Sequence, residues 1–166
     1  PIRLKNFGPY SLDGLREGIS HIELRMVDLN PLVRAGIDER DVLFSQLFLV
    51  WAASLPPAGL TVKDQVQAVQ NFKNAAHYDL KTVKTVMPDG SAHSVVKAAK
   101  RIIAAMEEFY ADFGESVHDC LAFQRRKFEE PECRYAWKIR EQYGQGFVAR
   151  GLQLARQRQR EYLEER

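Results

Sequence analysis

Glu23 and Arg25 are the residues of this sequence whose types and spacing invite a chemical reading first. They lie in a stretch, Ile19 to Asp28, where Ile22, Leu24 and Met26 alternate with His21, Glu23 and Arg25. That period of two predicts a strand with one apolar and one charged face. Residues i and i+2 of a strand project from the same face with α-carbons about 6.5–7 Å apart, so a carboxylate and a guanidinium look into the same space. The pair suits a phosphate held by a divalent cation: Mg²⁺ takes hard oxygen ligands, and Arg offers a planar fork to the remaining phosphate oxygens. Arg3 and Lys5 repeat the spacing on the preceding extended segment, Pro1 to Phe7, so pairing of the two segments would gather four charged groups on one face. The same residues also fit a solvated sheet face with a cross-strand ion pair of modest energy, and spacing alone leaves both readings open.

Other reactive side chains offer less. His21 shares the charged face and reads as a solvated or hydrogen-bonded residue rather than a ligand. His77, His93 and His118 have no partner at metal-ligand spacing and fall at predicted helix ends or loops. Cys120 sits among Val117, Leu121 and Phe123 and reads as a packed thiol. It lies 13 positions from Cys133 with no CxxC, which excludes a cysteine-rich zinc site or a disulfide framework and points to a reducing, cytoplasmic setting. Phosphate-loop, dinucleotide-binding and nucleophile-elbow glycine motifs are all missing.

The elements that must position Glu23 and Arg25 are drawn from 166 residues, 45% hydrophobic and 28% charged, with a net charge of +2. This fits one globular domain and names no polyanionic partner. The apolar run from Val42 to Leu55 is broken by polar residues and stopped by Pro56, too short for a membrane span. No signal peptide is visible, and a start at Pro1 fits either Met removal or a piece of a longer chain. Ser11 to Glu17 reads as a turn or two of helix, and Asn30-Pro31 ends the strand. Asp38 caps a helix from Glu39 to Leu55 that is apolar almost all round and should be central. Thr61 and Asp64 form a capping box for a helix to about His77. Pro88-Asp89-Gly90 marks an irregular connection or small hairpin, after which Ser94 caps a helix running toward Gly114. Further helices are expected over Glu115 to Phe128, Pro131 to Tyr143 and Phe147 to about Glu164. The expected fold is α+β and mostly α: one domain over 1–166, with a short antiparallel β remnant in 1–31 and a helical part in 38–166.

The words of the first fifty residues add a more specific signal. Pro-Ile-Arg-Leu-Lys at 1–5, Gly-Ile-Ser-His-Ile-Glu-Leu-Arg at 18–25, Val-Asp-Leu-Asn-Pro at 27–31 and Ala-Gly-Ile-Asp at 35–38 resemble, in order and spacing, the C-terminal part of the ligase domain of bacterial glutamate–cysteine ligase. The string I-E-x-R-x-x-D-x-N-P-x-x-x-x-G-I leading into an apolar helix is far more specific than a lone glycine motif. The resemblance is sharp to about residue 55 and fades to helical pattern beyond. It implies an ATP-dependent ligase that joins the γ-carboxylate of glutamate to the amine of cysteine through an acyl phosphate, with Mg²⁺ or Mn²⁺ as cofactor. It implies Glu23 as a metal ligand, Arg25 as the residue on the transferred phosphate, and Arg3 and Lys5 beside the substrate site. The family's other metal carboxylates, its adenine pocket and most amino-acid contacts lie upstream of the matching segment and have no counterpart here. The resemblance therefore implies a C-terminal piece of a larger enzyme, inactive alone, with the upstream part as its partner and exposed strand edges that favour dimerisation.

Two other function classes stay open. From Arg134 to Arg166 seven Arg and one Lys face four Glu, a local excess of +4, with Tyr135, Trp137, Tyr143 and Tyr162 interleaved. Such a stripe could contact nucleic acid, but Arg156, Arg158 and Arg160 splay around a helix, and no nucleic-acid partner is expected. Residues 38–166 also read as a helical scaffold that buttresses the catalytic strands, which is compatible with the ligase reading.

Overall fold

The computed structural model describes residues 2–4, 12–16, 18–24 and 27–165, and these separate into two compact units, Pro1–Asn30 and Pro31–Arg166. In the first unit β1 (Ile2–Leu4) and β2 (Ile19–Ile22) flank a short helix, α1 (Leu12–Arg16). The two strands pair antiparallel, Ile2 opposite Ile22 and Arg3 opposite His21, with a register shift that brings Leu4 opposite Ile19. The strand expected from Ile19 to Asp28 stops at Ile22. The last described pair of the ladder is Ile2 with Ile22. The expected burial of the apolar face also fails, since Ile19, Ile22 and Leu24 are all exposed. Arg25 and Met26, and the remainder of the extended segment expected over 1–7, including Lys5, lie outside the described residues.

The second unit is mostly helical. It contains α2 (Glu39–Ser54), α3 (Val62–His77), a hairpin of β3 (Lys84–Val86) and β4 (Ala92–Ser94), α4 (Val95–Phe109), α5 (Glu115–Glu129), α6 (Tyr135–Tyr143) and α7 (Phe147–Glu164). Its core forms where α2, α4 and α5 meet. Leu47, Met106, Tyr110, Cys120 and Leu121 are buried there, with Leu43, Phe44, Trp51 and Val117 packed around them. Inside this core the Tyr110 hydroxyl donates to the Leu47 carbonyl oxygen at 2.8 Å, which gives an otherwise non-directional contact one fixed register. Cys120 is a packed thiol, and burial pushes its pKa up to about 11.

Several local signals act as the sequence predicts. The Thr61 and Asp64 capping box is complete, Asp64 N–H donating to Thr61 and Thr61 N–H to Asp64. The hairpin turns at Gly90, whose φ of +81° suits a residue without a Cβ. Asn71 of α3 pins that hairpin by donating to the Val86 carbonyl and accepting from the Val86 N–H. Other expectations need correction. Ser94 precedes α4 without a side-chain capping bond. The helix expected over Pro131 to Tyr143 breaks into a 3₁₀ turn, Pro131–Cys133, and α6, with Pro131 opening the turn where no N–H is needed. Helix α2 is not central on every side, because Val42 and Val50 stay half exposed. No described helix is long and apolar enough to cross a membrane.

The N-terminus of α2 carries a polar network. Asp38, only 8% exposed, accepts from the Arg40 backbone N–H at 3.0 Å and from both Nε and a terminal nitrogen of the Arg40 guanidinium at 2.9 and 2.7 Å. These bonds hold its carboxyl well below the usual carboxylate range. Asp41, one helical turn in, accepts from Gln124 at 2.7 Å and from Lys127 at 2.6 Å on α5. The Lys127 ammonium lies over the rings of Phe123 and Tyr135, and the Arg40 guanidinium covers Phe123 at 3.6 Å. Burial and the neighbouring Asp41 and Asp38 carboxylates push the Tyr135 phenol up.

Two outcomes follow from these contacts. Met106→Ala, at a site with no exposure, should cost about 2–5 kcal/mol in urea unfolding, the range for emptying a packed core position; a loss under about 1 kcal/mol would show that this core collapses freely. The depressed carboxyl of Asp38 contributes stability that is complete above its unfolded pKa of about 3.9 and is lost as pH falls through the lower folded value. Asp38→Ala should therefore lower stability by about 1–2 kcal/mol at pH 7, with the gap to the native chain narrowing below about pH 4. Thermal melts from pH 7 to pH 3 read this directly, and a gap that widens in acid would contradict it.

Candidate functional site

Glu23 follows β2 directly. It is half buried, while Ile22 and Leu24 on either side are exposed, the reverse of the apolar-in, charged-out pattern that the sequence predicts. The pairing of β1 with β2 sets the backbone of Arg3 opposite His21, two residues before Glu23, so the segments carrying Arg3 and Glu23 do run side by side. Arg25 and Lys5 fall outside the described residues. His21 is exposed, with its Nδ1 at 2.9 Å from the Ser20 hydroxyl, as befits a solvated residue. Among the described residues no group of three or more His, Cys, Asp or Glu could hold a metal ion. A Glu carboxylate is a hard-oxygen group of the kind that Mg²⁺ takes.

The segment that follows the charged motif in sequence is held from several directions. Gly36, with φ of +77°, donates its N–H to the Val33 carbonyl at 3.0 Å and closes a turn that a β-carbon would strain. Two residues later Asp38 begins α2. From α7, Arg158 donates to the carbonyls of Pro31 at 2.8 Å and Val33 at 3.0 Å, filling both acceptors with one guanidinium. Beside it, Arg34 forms a two-nitrogen fork on the Glu165 carboxylate, one arm at 2.8 Å. A cleft of about 310 Å³ adjoins this turn, lined by Val33, Ala35, Ile37, Asp38, Glu39 and Arg40.

Arg158 is the residue that sequence reasoning misses. It reads there as one member of a basic stripe, because a backbone carbonyl more than a hundred residues away leaves no mark in composition or period. Three other cations of the stripe also make internal contacts. Arg134 donates to the Lys127 carbonyl at 2.7 Å, Arg140 covers the Trp137 ring at 4.4 Å, and Arg150 donates to the Gln142 carbonyl. A polyanion would have to compete with these contacts for its cations.

Comparison with known proteins agrees with the motif. A family model described as glutamate-cysteine ligase matches residues 2–75. A glutamate–cysteine ligase of Baumannia cicadellinicola subsp. Homalodisca coagulata is 29% identical over 160 residues, covering 91% of this chain and 30% of that protein. The glutathione biosynthesis bifunctional protein GshAB of Listeria monocytogenes serotype 4b (strain F2365) is 28% identical over 171 residues, covering 99% of this chain and 22% of that protein. The chain thus spans less than a third of the length of these relatives. No solved structure gives a significant match. The Glu23 and Arg25 string falls inside the region that the glutamate-cysteine ligase model matches, and both alignments run almost from end to end of this chain, so the chain is similar to glutamate–cysteine ligases along most of its length.

Proposed function

We propose that this chain is the C-terminal part of the ligase domain of an ATP-dependent enzyme that joins the glutamate γ-carboxylate to the cysteine amine, the first step of glutathione synthesis. The observation that carries the reading is the string from Ile22 to Ile37, which lies within the family match at residues 2–75. A carboxylate is a poor electrophile, and it becomes one when an oxygen takes the γ-phosphoryl of ATP and ADP departs. The cysteine nitrogen then forms the C–N bond, the C–O bond to phosphate breaks, and the nitrogen gives up its proton. The obstacle is charge, since carboxylate and triphosphate repel each other. Arg25 would place its fork on the transferring phosphoryl, and Arg3 and Lys5 would add positive charge beside the substrates. Glu23 would supply one ligand to Mg²⁺ or Mn²⁺, whose charge neutralises the phosphate oxygens when it is bound. The other ligands and most substrate contacts would come from sequence upstream of Pro1 in the complete ligase.

The helical unit would act as a buttress in this reading. The support is the grip of Arg158 on the carbonyls of Pro31 and Val33 and the fork of Arg34 on Glu165, which tie the last helix to the turn after the motif.

Phosphate release coupled to γ-glutamylcysteine formation tests the reading. In the complete ligase Glu23→Gln should lower kcat by at least about 100-fold with folding intact, the order seen when a group stabilising transition-state charge is removed. The 166 residues alone should turn over nothing; full activity of the variant, or γ-glutamylcysteine made by the isolated chain, would defeat the assignment. For the buttress, Arg158→Met should cost about 1.5–3 kcal/mol of stability, as for lost charge-assisted hydrogen bonds, and shift the KM for ATP less than twofold. A large KM change at unaltered melting temperature would instead make Arg158 part of the nucleotide site.

A further inference from the structure

A second feature stands apart from the Glu23 motif and does not depend on the ligase reading. Between the β3–β4 hairpin and α4 lies a cavity of about 290 Å³, lined by Met87, His93, Lys97, Ala98, Arg101 and Ile102. We propose that this cavity binds a small organic anion with an apolar body, whose acidic group is held by Lys97 and Arg101.

Lys97 and Arg101 are exposed, stand one helical turn apart on the same side of α4, and have no acidic partner among the described residues. Other basic residues nearby are paired: Lys100 meets Glu129 at 3.1 Å, and Arg125 forks onto Glu107. Like charges at i and i+4 of a helix repel each other, and an anion placed between them removes the repulsion and gains two charge-assisted bonds. Among the described residues no carboxylate lines the cavity. Asp89, the acid of the hairpin turn, is engaged by the Ser91 N–H at 2.8 Å and the Ser91 hydroxyl at 2.6 Å.

The remaining walls choose the rest of the ligand. Met87, Ala98 and Ile102 present an apolar surface, and both Met87 and Ile102 remain partly open to solvent. A bare inorganic anion would leave that surface wet, and a neutral apolar molecule would leave the cations unpaired. His93 comes from β4 and is steadied by Ser91, whose hydroxyl lies 3.0 Å from Nε2. The hairpin wall is itself held in place by Asn71 on Val86 and by the Val95 N–H on the Val83 carbonyl at 3.2 Å. Few converging polar groups on a mostly apolar concavity are the usual make-up of a small-molecule site. At about 30 Å³ per water-sized group the cavity holds roughly ten non-hydrogen atoms.

Titration of the isotope-labelled 166-residue chain with hexanoate, hexan-1-ol and acetate at constant ionic strength, followed by NMR, tests this. Hexanoate should shift resonances of His93, Lys97, Arg101 and Ile102 saturably, with a Kd of about 1 mM for a ligand of that size. Hexan-1-ol and acetate should each bind at least about tenfold more weakly, and Lys97→Met with Arg101→Met should weaken hexanoate by a similar factor in a chain whose other resonances stay in place. Equal binding of the alcohol, equal binding of acetate, no saturable shift, or hexanoate binding that survives the double substitution would each overturn the proposal.

Discussion

The start of α2 is the constraint on which the helical unit depends. Taking the carboxylates of Asp38 and Asp41 out of water is costly unless each is paired, and each is: Asp38 by Arg40, Asp41 by Lys127 and Gln124. The partners of Asp41 come from α5, so the charge requirement fixes where α2 meets that helix. Sliding α2 by one turn would keep much of the apolar contact, which is non-directional, but would separate the part-buried charges of Asp41 and Lys127. The stacking of Lys127 between Phe123 and Tyr135 then brings the start of α6 to the same place. Hydrophobic burial drives the helices together here, and the polar network selects one arrangement among several that would bury similar area.

What was legible in the sequence is what depends on neighbours within about four positions. The Asp38 cap, the Thr61 and Asp64 box, the Gly90 turn and the periodic helices all have this character, and all are present. Two local expectations failed, the Ser94 cap and the unbroken helix from Pro131 to Tyr143, and the others that failed depend on something further away. The last described pair of β2 is Ile22 with Ile2, a pairing that the alternation from Ile19 to Asp28 does not contain. The exposure of Val42 and Val50 on α2 reflects how few elements pack around that helix, which a period of 3.6 cannot report. The charged motif was legible as a string of residues. Its geometry is only partly so: the backbone of Arg3 pairs with His21, two residues before Glu23, while Arg25 and Lys5 lie outside the described residues.

The basic C-terminal region shows how composition misleads about partners. An excess of Arg is an electrostatic footprint when the charges point outward together. Here Arg134, Arg150 and Arg158 each meet a main-chain carbonyl, and Arg140 lies on an aromatic ring. A carbonyl acceptor adds no formal negative charge, so the region keeps its net positive charge on paper while Arg134, Arg150 and Arg158 commit donors to the fold. Counting charges and counting available donors give different answers, and recognition depends on the second.

The hold of Arg158 on Pro31 and Val33 also bears on how the polypeptide matures during synthesis. The two carbonyls leave the ribosome more than 120 residues before the guanidinium that satisfies them. At about 5–20 residues per second, several seconds or more separate the two events. Through that interval the turn after the motif has only its local bond from Gly36 to Val33 and the helix cap at Asp38. Closing so long a loop carries an entropic cost that short-range helix formation does not. The segment next to the charged motif is therefore among the last to reach its final backbone, after the helices that follow it in sequence have already formed.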